Sequence, residues 1–183
     1  SVEDDAVRRD FTMNALYYDP SSHQVIDFVG GYDDLEDQLI RIIGDPETRY
    51  REDPVRMLRA ARFVGKLDLD LDEATAEPIP RLAGLLRDVS ASRLFDEVLK
   101  LLQAGFGQAT YHCLREFGLF GQLFPETEAI LARGDDPHYA RLIEIALSNT
   151  DARLNAGKSV TPAFLYAAIY WPSVHQRWQD REA

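Results

Sequence analysis

The sequence predicts an α+β protein: a small mixed sheet followed by an all-helical part. Three observations carry this reading. Tyr17-Tyr18 and Val25-Ile26-Asp27-Phe28-Val29 are aromatic and β-branched runs on either side of a turn cluster, Asp19-Pro20-Ser21-Ser22-His23, which is the pattern of a hairpin. From Pro54 onward, nearly every stretch has helical periodicity and is bounded by Gly or Pro. With 183 residues, 45% of them hydrophobic, the chain can bury a core in one or two domains.

Taken in order, Ser1 to Ala6 is short and acidic, and Asp10 or Thr12 caps a short helix or turn over Phe11 to Leu16. The hairpin follows, and Gly30-Gly31 breaks its second strand. Asp33 to Gln38 reads as a short helix and Leu39 to Ile43 as an extended segment, closed by Gly44-Asp45-Pro46. Asp53-Pro54 is a strong helix start, because Asp at the N-cap accepts orphan amide protons and Pro has no amide to lose. That helix reaches about Lys66. A short one starts near Asp72 and must stop before Pro78, and Pro80 opens the next turn. Ala91 to Ala104 is a long amphipathic helix, with Leu94, Phe95, Val98, Leu101 and Leu102 on its apolar face, ended by Gly105 to Gly107. Further helices are expected at 108–117, near 124–132, at 138–149 and at 162–170, with Leu119-Phe120 and Leu123-Phe124 as core staples between helices. The domain boundaries expected are 1–50, 51–105 and 106–183.

The chain is organised around Arg49 to Phe63. Arg56, Arg59 and Arg62 recur every third residue and line one drifting side of the helix, while Met57, Leu58, Ala61 and Val64 supply its apolar side. A guanidinium row beside a capped acid suits a phosphate-bearing or planar ligand, since Arg offers a rigid fork of donors. The same row also reads as a solvated, salt-bridged face, with Glu52 and Arg56 paired at i,i+4.

Composition excludes several classes. No apolar run approaches the roughly 18 residues of a membrane span, and nothing resembles a secretory leader. Cys113 is the only cysteine, so an internal disulfide and a cysteine metal cluster are excluded, which fits a cytoplasmic location. The net charge of −11 argues against a nucleic-acid binder unless positive charge is concentrated locally, as it is between Arg41 and Arg62. Asp68-Leu69-Asp70-Leu71-Asp72 invites a hard-cation site if extended, but an acidic link with Asp72 capping the next helix is the favoured reading. His23, His112, His138 and His175 show no ligand spacing, and there is no Gly-rich loop of Walker or dinucleotide type.

Two arginine-rich motifs remain, flanking the sheet: Arg8-Arg9-Asp10-Phe11-Thr12-Met13-Asn14-Ala15-Leu16 and Glu52-Asp53-Pro54-Val55-Arg56-Met57-Leu58-Arg59. With Asp27-Phe28-Val29-Gly30-Gly31 and Asp34-Leu35 between them, their order and spacing resemble the template-independent nucleotidyltransferases, the family of bacterial poly(A) polymerases and tRNA CCA-adding enzymes. The fuller string Pro46 to Ala60, Arg93-Leu94-Phe95-Asp96-Glu97 with Leu99-Lys100-Leu101-Leu102, and Pro162-Ala163-Phe164-Leu165 look nearest to the poly(A) polymerases. The resemblance spans most of the chain and is less specific after about Phe124.

The resemblance implies a partial nucleotidyltransferase head with its N-terminal half missing, a helical neck bearing the base-recognition helix, and the start of a helical body that binds RNA. It implies that Asp10 is a carboxylate of the catalytic site, that Arg9 contacts the nucleotide, and that Asn14 holds the local turn or the sugar. Asp53 and Arg56 would read the Watson–Crick edge of the incoming base, and Arg59 would support the nucleotide. The reaction implied is attack of an RNA 3′-hydroxyl on the α-phosphate of ATP, with pyrophosphate leaving and two Mg²⁺ ions clamping both oxygens. The partners implied are an RNA 3′ end and ATP, with no membrane. The family's Asp-x-Asp metal pair precedes the Arg-Arg-Asp motif, and only Ser1 to Val7 stands there, so no metal ligand is assigned in this chain. The chain reads as a piece of a longer protein, inactive alone, with an exposed edge or apolar face on its sheet. The alternatives are a CCA-adding enzyme, which takes CTP as well as ATP, and a non-catalytic helical RNA-binding module.

Overall fold

The computed structural model describes residues 1–182. Its N-terminal part is built from α1 (Val2–Ala6), a 3₁₀ turn (Thr12–Ala15), β1 (Leu16–Asp19), β2 (Gln24–Asp27), α2 (Gly31–Glu36) and β3 (Leu39–Ile40). A middle part comprises α3 (Pro46–Glu52), α4 (Val55–Leu67), β4 (Asp70–Leu71), α5 (Glu73–Ala76), α6 (Ile79–Leu82) and a 3₁₀ stretch (Ala83–Asp88). The rest is helical: α7 (Ala91–Leu102), α8 (Gly107–Glu116), α9 (Phe120–Leu123), α10 (Pro125–Arg133), α11 (Pro137–Asn155) and α12 (Pro162–Glu182).

The expected hairpin forms, with Leu16 opposite Asp27 and Asp19 opposite Gln24 in antiparallel register. Asp27 stops β2 and starts α2, its carboxylate accepting the amides of Val29, Gly30 and Tyr32. Tyr18, Val25, Ile26 and Phe28 are exposed on the hairpin. The sheet is mixed, as expected, but in two separate ladders, because β3 pairs in parallel with β4 rather than joining the hairpin. The Asp68–Asp72 run is therefore partly strand. Asp72 caps α5 through the amide of Thr75, and Asp68 ends α4 in the left-handed conformation.

Several boundaries differ from expectation for local reasons. Pro46–Glu52 forms a helix of its own, started by Asp45, whose carboxylate accepts the Thr48 amide. Leu119-Phe120 and Leu123-Phe124 do staple the core, but as part of a helical turn. α12 runs on past Tyr170 through Pro172, where a stop was expected. Phe95, expected on the buried face of α7, is 46% exposed and stacks on Tyr166 with ring centroids 5.5 Å apart, while Glu97 is buried beside Lys100.

One continuous apolar cluster runs from Phe11 and Ile42, through Tyr50, Met57 and Leu58 of α3 and α4, to Tyr111, Phe120, Ile143 and Ile169. α4 packs tightly on α8: a Cβ on Gly65 would lie 2.6 Å from the backbone nitrogen of Thr110, so only glycine allows this approach. Side-chain bonds tie the sheet region to the middle part, and the middle part to itself. Arg41 bridges Asp34 and Asp72, at 3.0 and 2.7 Å. Thr75 Oγ1 accepts the Ile42 amide at 3.2 Å, and the Tyr50 hydroxyl donates to the Thr75 carbonyl at 2.9 Å. Burial, with Asp72 nearby, pushes the Tyr50 phenol well above its ordinary value, so it stays a donor.

Candidate nucleotide-binding site

The site is made by an elbow between α3 and α4. A residue before proline is disfavoured in the α region, and Asp53 accordingly turns extended, with φ −148° and ψ 95°. Its amide makes the last bond of α3, to the Arg49 carbonyl, and its own carbonyl accepts the Arg56 amide. Pro54 takes the formal cap position of α4, one residue later than expected. Asp53 still does capping work, since its Oδ1 accepts the Val55 amide at 3.2 Å.

Asp53 Oδ2 accepts from Arg93 Nη2 of α7 at 2.9 Å. Behind the elbow, Glu52 is held between Arg49 and Arg56, each 3.0 Å from Oε2. Arg56 Nη1 also donates to the Arg49 carbonyl at 2.7 Å. The Glu52–Arg56 pair expected from the i,i+4 spacing is thus present, and both arginine side chains are 15% exposed.

Arg49 ties the elbow to the first motif, because its Nη2 donates to the carbonyls of Arg9 at 2.7 Å and Arg8 at 3.3 Å. Asp10 sits in that motif with Oδ1 accepting from the Phe11 amide at 2.8 Å and from Asn14 Nδ2 at 2.9 Å. Its Oδ2 faces Arg59 Nη1 of α4 at 3.5 Å. Phe11 and Phe63 meet edge to face beneath this contact, at 5.6 Å. Of the residues singled out in the sequence, Asp10, Asn14 and Arg59 form one cluster and Asp53 with Arg56 the other, joined through Arg49 and Glu52. Arg9 is turned toward α1, where it and the Tyr17 hydroxyl share Asp5 Oδ2. Tyr17, and then Arg9, hold the Asp5 carboxyl below its usual range.

A cleft of about 340 Å³ opens at the elbow, lined by Arg51, Glu52, Asp53, Pro54, Leu85, Asp88, Val89, Ser90 and Arg93. Asp53 and Arg93 line it, whereas Arg56 is not among its lining residues. A larger cleft of about 600 Å³ is lined by Asp45, Glu47, Asp72, Glu73 and Glu77 with Arg81, and so much negative charge repels a nucleotide's phosphates. Arg49 and Arg93 are the residues sequence reasoning missed as parts of the site. Arg93 was visible only as part of a resemblance, because its partner lies 40 positions away.

Residues 1–41 match the family described as "Poly A polymerase head domain", and residues 68–131 the one described as "Probable RNA and SrmB-binding site of polymerase A". Poly(A) polymerase I of Escherichia coli O157:H7 is 55% identical over 171 residues, which is 93% of this chain and 37% of that protein. The crystal structure of the Bacillus stearothermophilus CCA-adding enzyme in complex with CTP is similar at 41% identity and a TM-score of 0.60, over 65% of this chain and 30% of that one. A tRNA-processing enzyme in an apo form shares the fold with a TM-score of 0.73 at 24% identity, over 93% of this chain and 49% of that one. The chain thus spans little more than a third of the length of the curated poly(A) polymerases it matches.

Proposed function

The chain belongs to the RNA nucleotidyltransferase family that holds the bacterial poly(A) polymerases and CCA-adding enzymes, and from that premise we propose that the protein carrying it adds AMP from ATP to RNA 3′ ends without a template. The observation that carries the proposal is the meeting of the two arginine motifs: Arg59 on the base-reading helix lies against Asp10, and Arg49 clamps the carbonyls of Arg8 and Arg9.

In this reading the adenine enters at the elbow. The Asp53 carboxylate accepts from the exocyclic amino group, and the Arg56 guanidinium, turned into the cleft, donates to the adjacent ring nitrogen, so protein side chains replace a template. The Arg49–Glu52–Arg56 network fixes the elbow and limits how far Arg56 can move. Arg59 meets the nucleotide's phosphates beside Asp10. The 3′-oxygen forms the new bond to the α-phosphorus, the bond to the bridging oxygen breaks, pyrophosphate leaves, and the hydroxyl proton passes to water.

Magnesium does not fit the described residues alone. Asp10 is a single carboxylate with one oxygen already accepting two hydrogen bonds and the other facing Arg59, and no group of three His, Cys, Asp or Glu among the described residues is arranged to hold an ion. The metal clamp implied by the resemblance therefore needs carboxylates from outside the described residues, and the 183-residue chain by itself is not expected to extend RNA.

The test is extension of a labelled RNA by the full-length protein with each nucleotide supplied separately. Long ladders with ATP alone establish poly(A) synthesis. Arrest after C-C-A on a tRNA end, with CTP and ATP both supplied, makes it a CCA-adding enzyme, and no extension by folded protein leaves a non-catalytic RNA-binding module.

A further inference from the structure

Arg59, Arg62 and Lys66 stand at i, i+3 and i+7 of α4, so they share one stripe of the helix, within about 60° of one another. Arg56 drifts off its edge. The stripe begins at the Asp10–Arg59 contact and runs roughly 10 Å along the helix, away from the elbow. Its charges are unequally answered: Arg59 faces Asp10 and Arg56 is paired with Glu52. Arg62 and Lys66 have no ion-pair partner among the described residues, and Arg62 Nε is shut from solvent with no acceptor. Both cations stand over aromatic rings instead, with the Arg62 guanidinium carbon 5.1 Å from the Phe63 centroid and Lys66 Nζ 5.9 Å from that of Phe106. A ring face orders a cation without neutralising it. In a chain of net charge −11, two adjacent cations held in this way leave a local positive track.

We propose that Arg62 and Lys66 hold phosphates of the single-stranded RNA 3′ end, an inference that rests on the nucleotidyltransferase function above. The polarity of the stripe favours RNA over the ATP triphosphate. A nucleotide whose base sits at the elbow reaches Arg59 with its phosphates, about 9 Å along the helix from Asp53. A strand entering from the far end passes Lys66 and Arg62 before its 3′-hydroxyl arrives at Asp10.

The experiment measures binding of the full-length protein to labelled single-stranded RNA over a series of salt concentrations, together with extension kinetics, for wild type, Arg62→Gln, Lys66→Gln, the double variant and Arg62→Lys. Each lost phosphate contact lowers the slope of log affinity against log salt by about 0.7. The double variant is expected to bind RNA roughly tenfold more weakly with the KM for ATP unchanged, and Arg62→Lys to recover most of the slope because it keeps the charge. Lys66 is exposed, so Lys66→Gln folds and alone tests half of the track. Wild-type affinity and slope in the double variant overturn the inference, as does a KM for ATP that rises as much as that for RNA, which assigns the cations to the triphosphate. A wild-type protein that neither binds nor extends RNA overturns the proposed function itself.

Discussion

At the scale of single residues, the side chains proposed to read the base also hold the protein together, and the two roles separate by measurement. Arg56 donates to a backbone carbonyl and to Glu52 while 15% exposed. Arg56→Ala is expected to lower kcat/KM for ATP tenfold to a hundredfold, in line with about 1.5–3 kcal/mol for a hydrogen bond made by a charged group. It should also cost about 1–2 kcal/mol of stability, read from denaturant unfolding, because the Arg49 carbonyl and Glu52 lose a charged donor. The Arg93 side chain reaches the second motif through its hydrogen bond to Asp53 Oδ2. Arg93→Gln should leave stability nearly unchanged, since the pair is on the surface of the cleft, while freeing the Asp53 carboxylate to rotate. The expected readout is a severalfold loss of discrimination between ATP and CTP in single-nucleotide extension, and unaltered discrimination would show that Arg93 does not position Asp53.

At the scale of elements, the helices position the site by how closely they approach. α4 carries Asp10's partner on one side and packs on α8 with the other, and Gly65 permits the second contact. Gly65→Ala places a methyl group against backbone that cannot swing aside, so α4 must shift or α8 must separate. Overpacking of this kind costs roughly 1–3 kcal/mol, equivalent to a fall in Tm of about 2–4 °C for each kcal/mol at this chain length. A wild-type melting curve would show that the α4–α8 contact is slack. The break between α3 and α4 has the opposite character, being local chemistry at Asp53-Pro54, and it was legible in the sequence to within one residue.

At the scale of the whole molecule, the charge balance matters more than any single pair. Asp and Glu outnumber Lys and Arg by 31 to 20, so acid titration removes repulsion and ion pairs together. Glu47 is held down to about 2, first by Arg81 of α6 and then by Arg51 of α3, against an ordinary value near 4.5. The sign follows from linkage: a carboxyl depressed in the folded state contributes stability above its unfolded value and loses that contribution as pH falls toward its folded one. Glu47→Gln should therefore melt slightly lower than wild type at pH 7, with the gap narrowing from about pH 5 down to about pH 2. The effect is small because all three side chains are well exposed, and a gap independent of pH would rule out the ion pairs as its source.

The sequence by itself determined what is local. The hairpin, the elbow at Asp53-Pro54, the Asp72 cap and the Glu52–Arg56 pair all depend on residues close in sequence, where propensity and capping chemistry act directly. Tertiary structure alone decided the rest: that β4 returns to pair with β3, that α12 continues through Pro172, that Phe95 faces outward while Glu97 is buried, and that Arg93 reaches Asp53. It also decided which cations of the arginine helix are answered and which are not. Those contacts join residues tens of positions apart, and their free energy comes from desolvation and packing in the assembled fold, which no window of sequence contains.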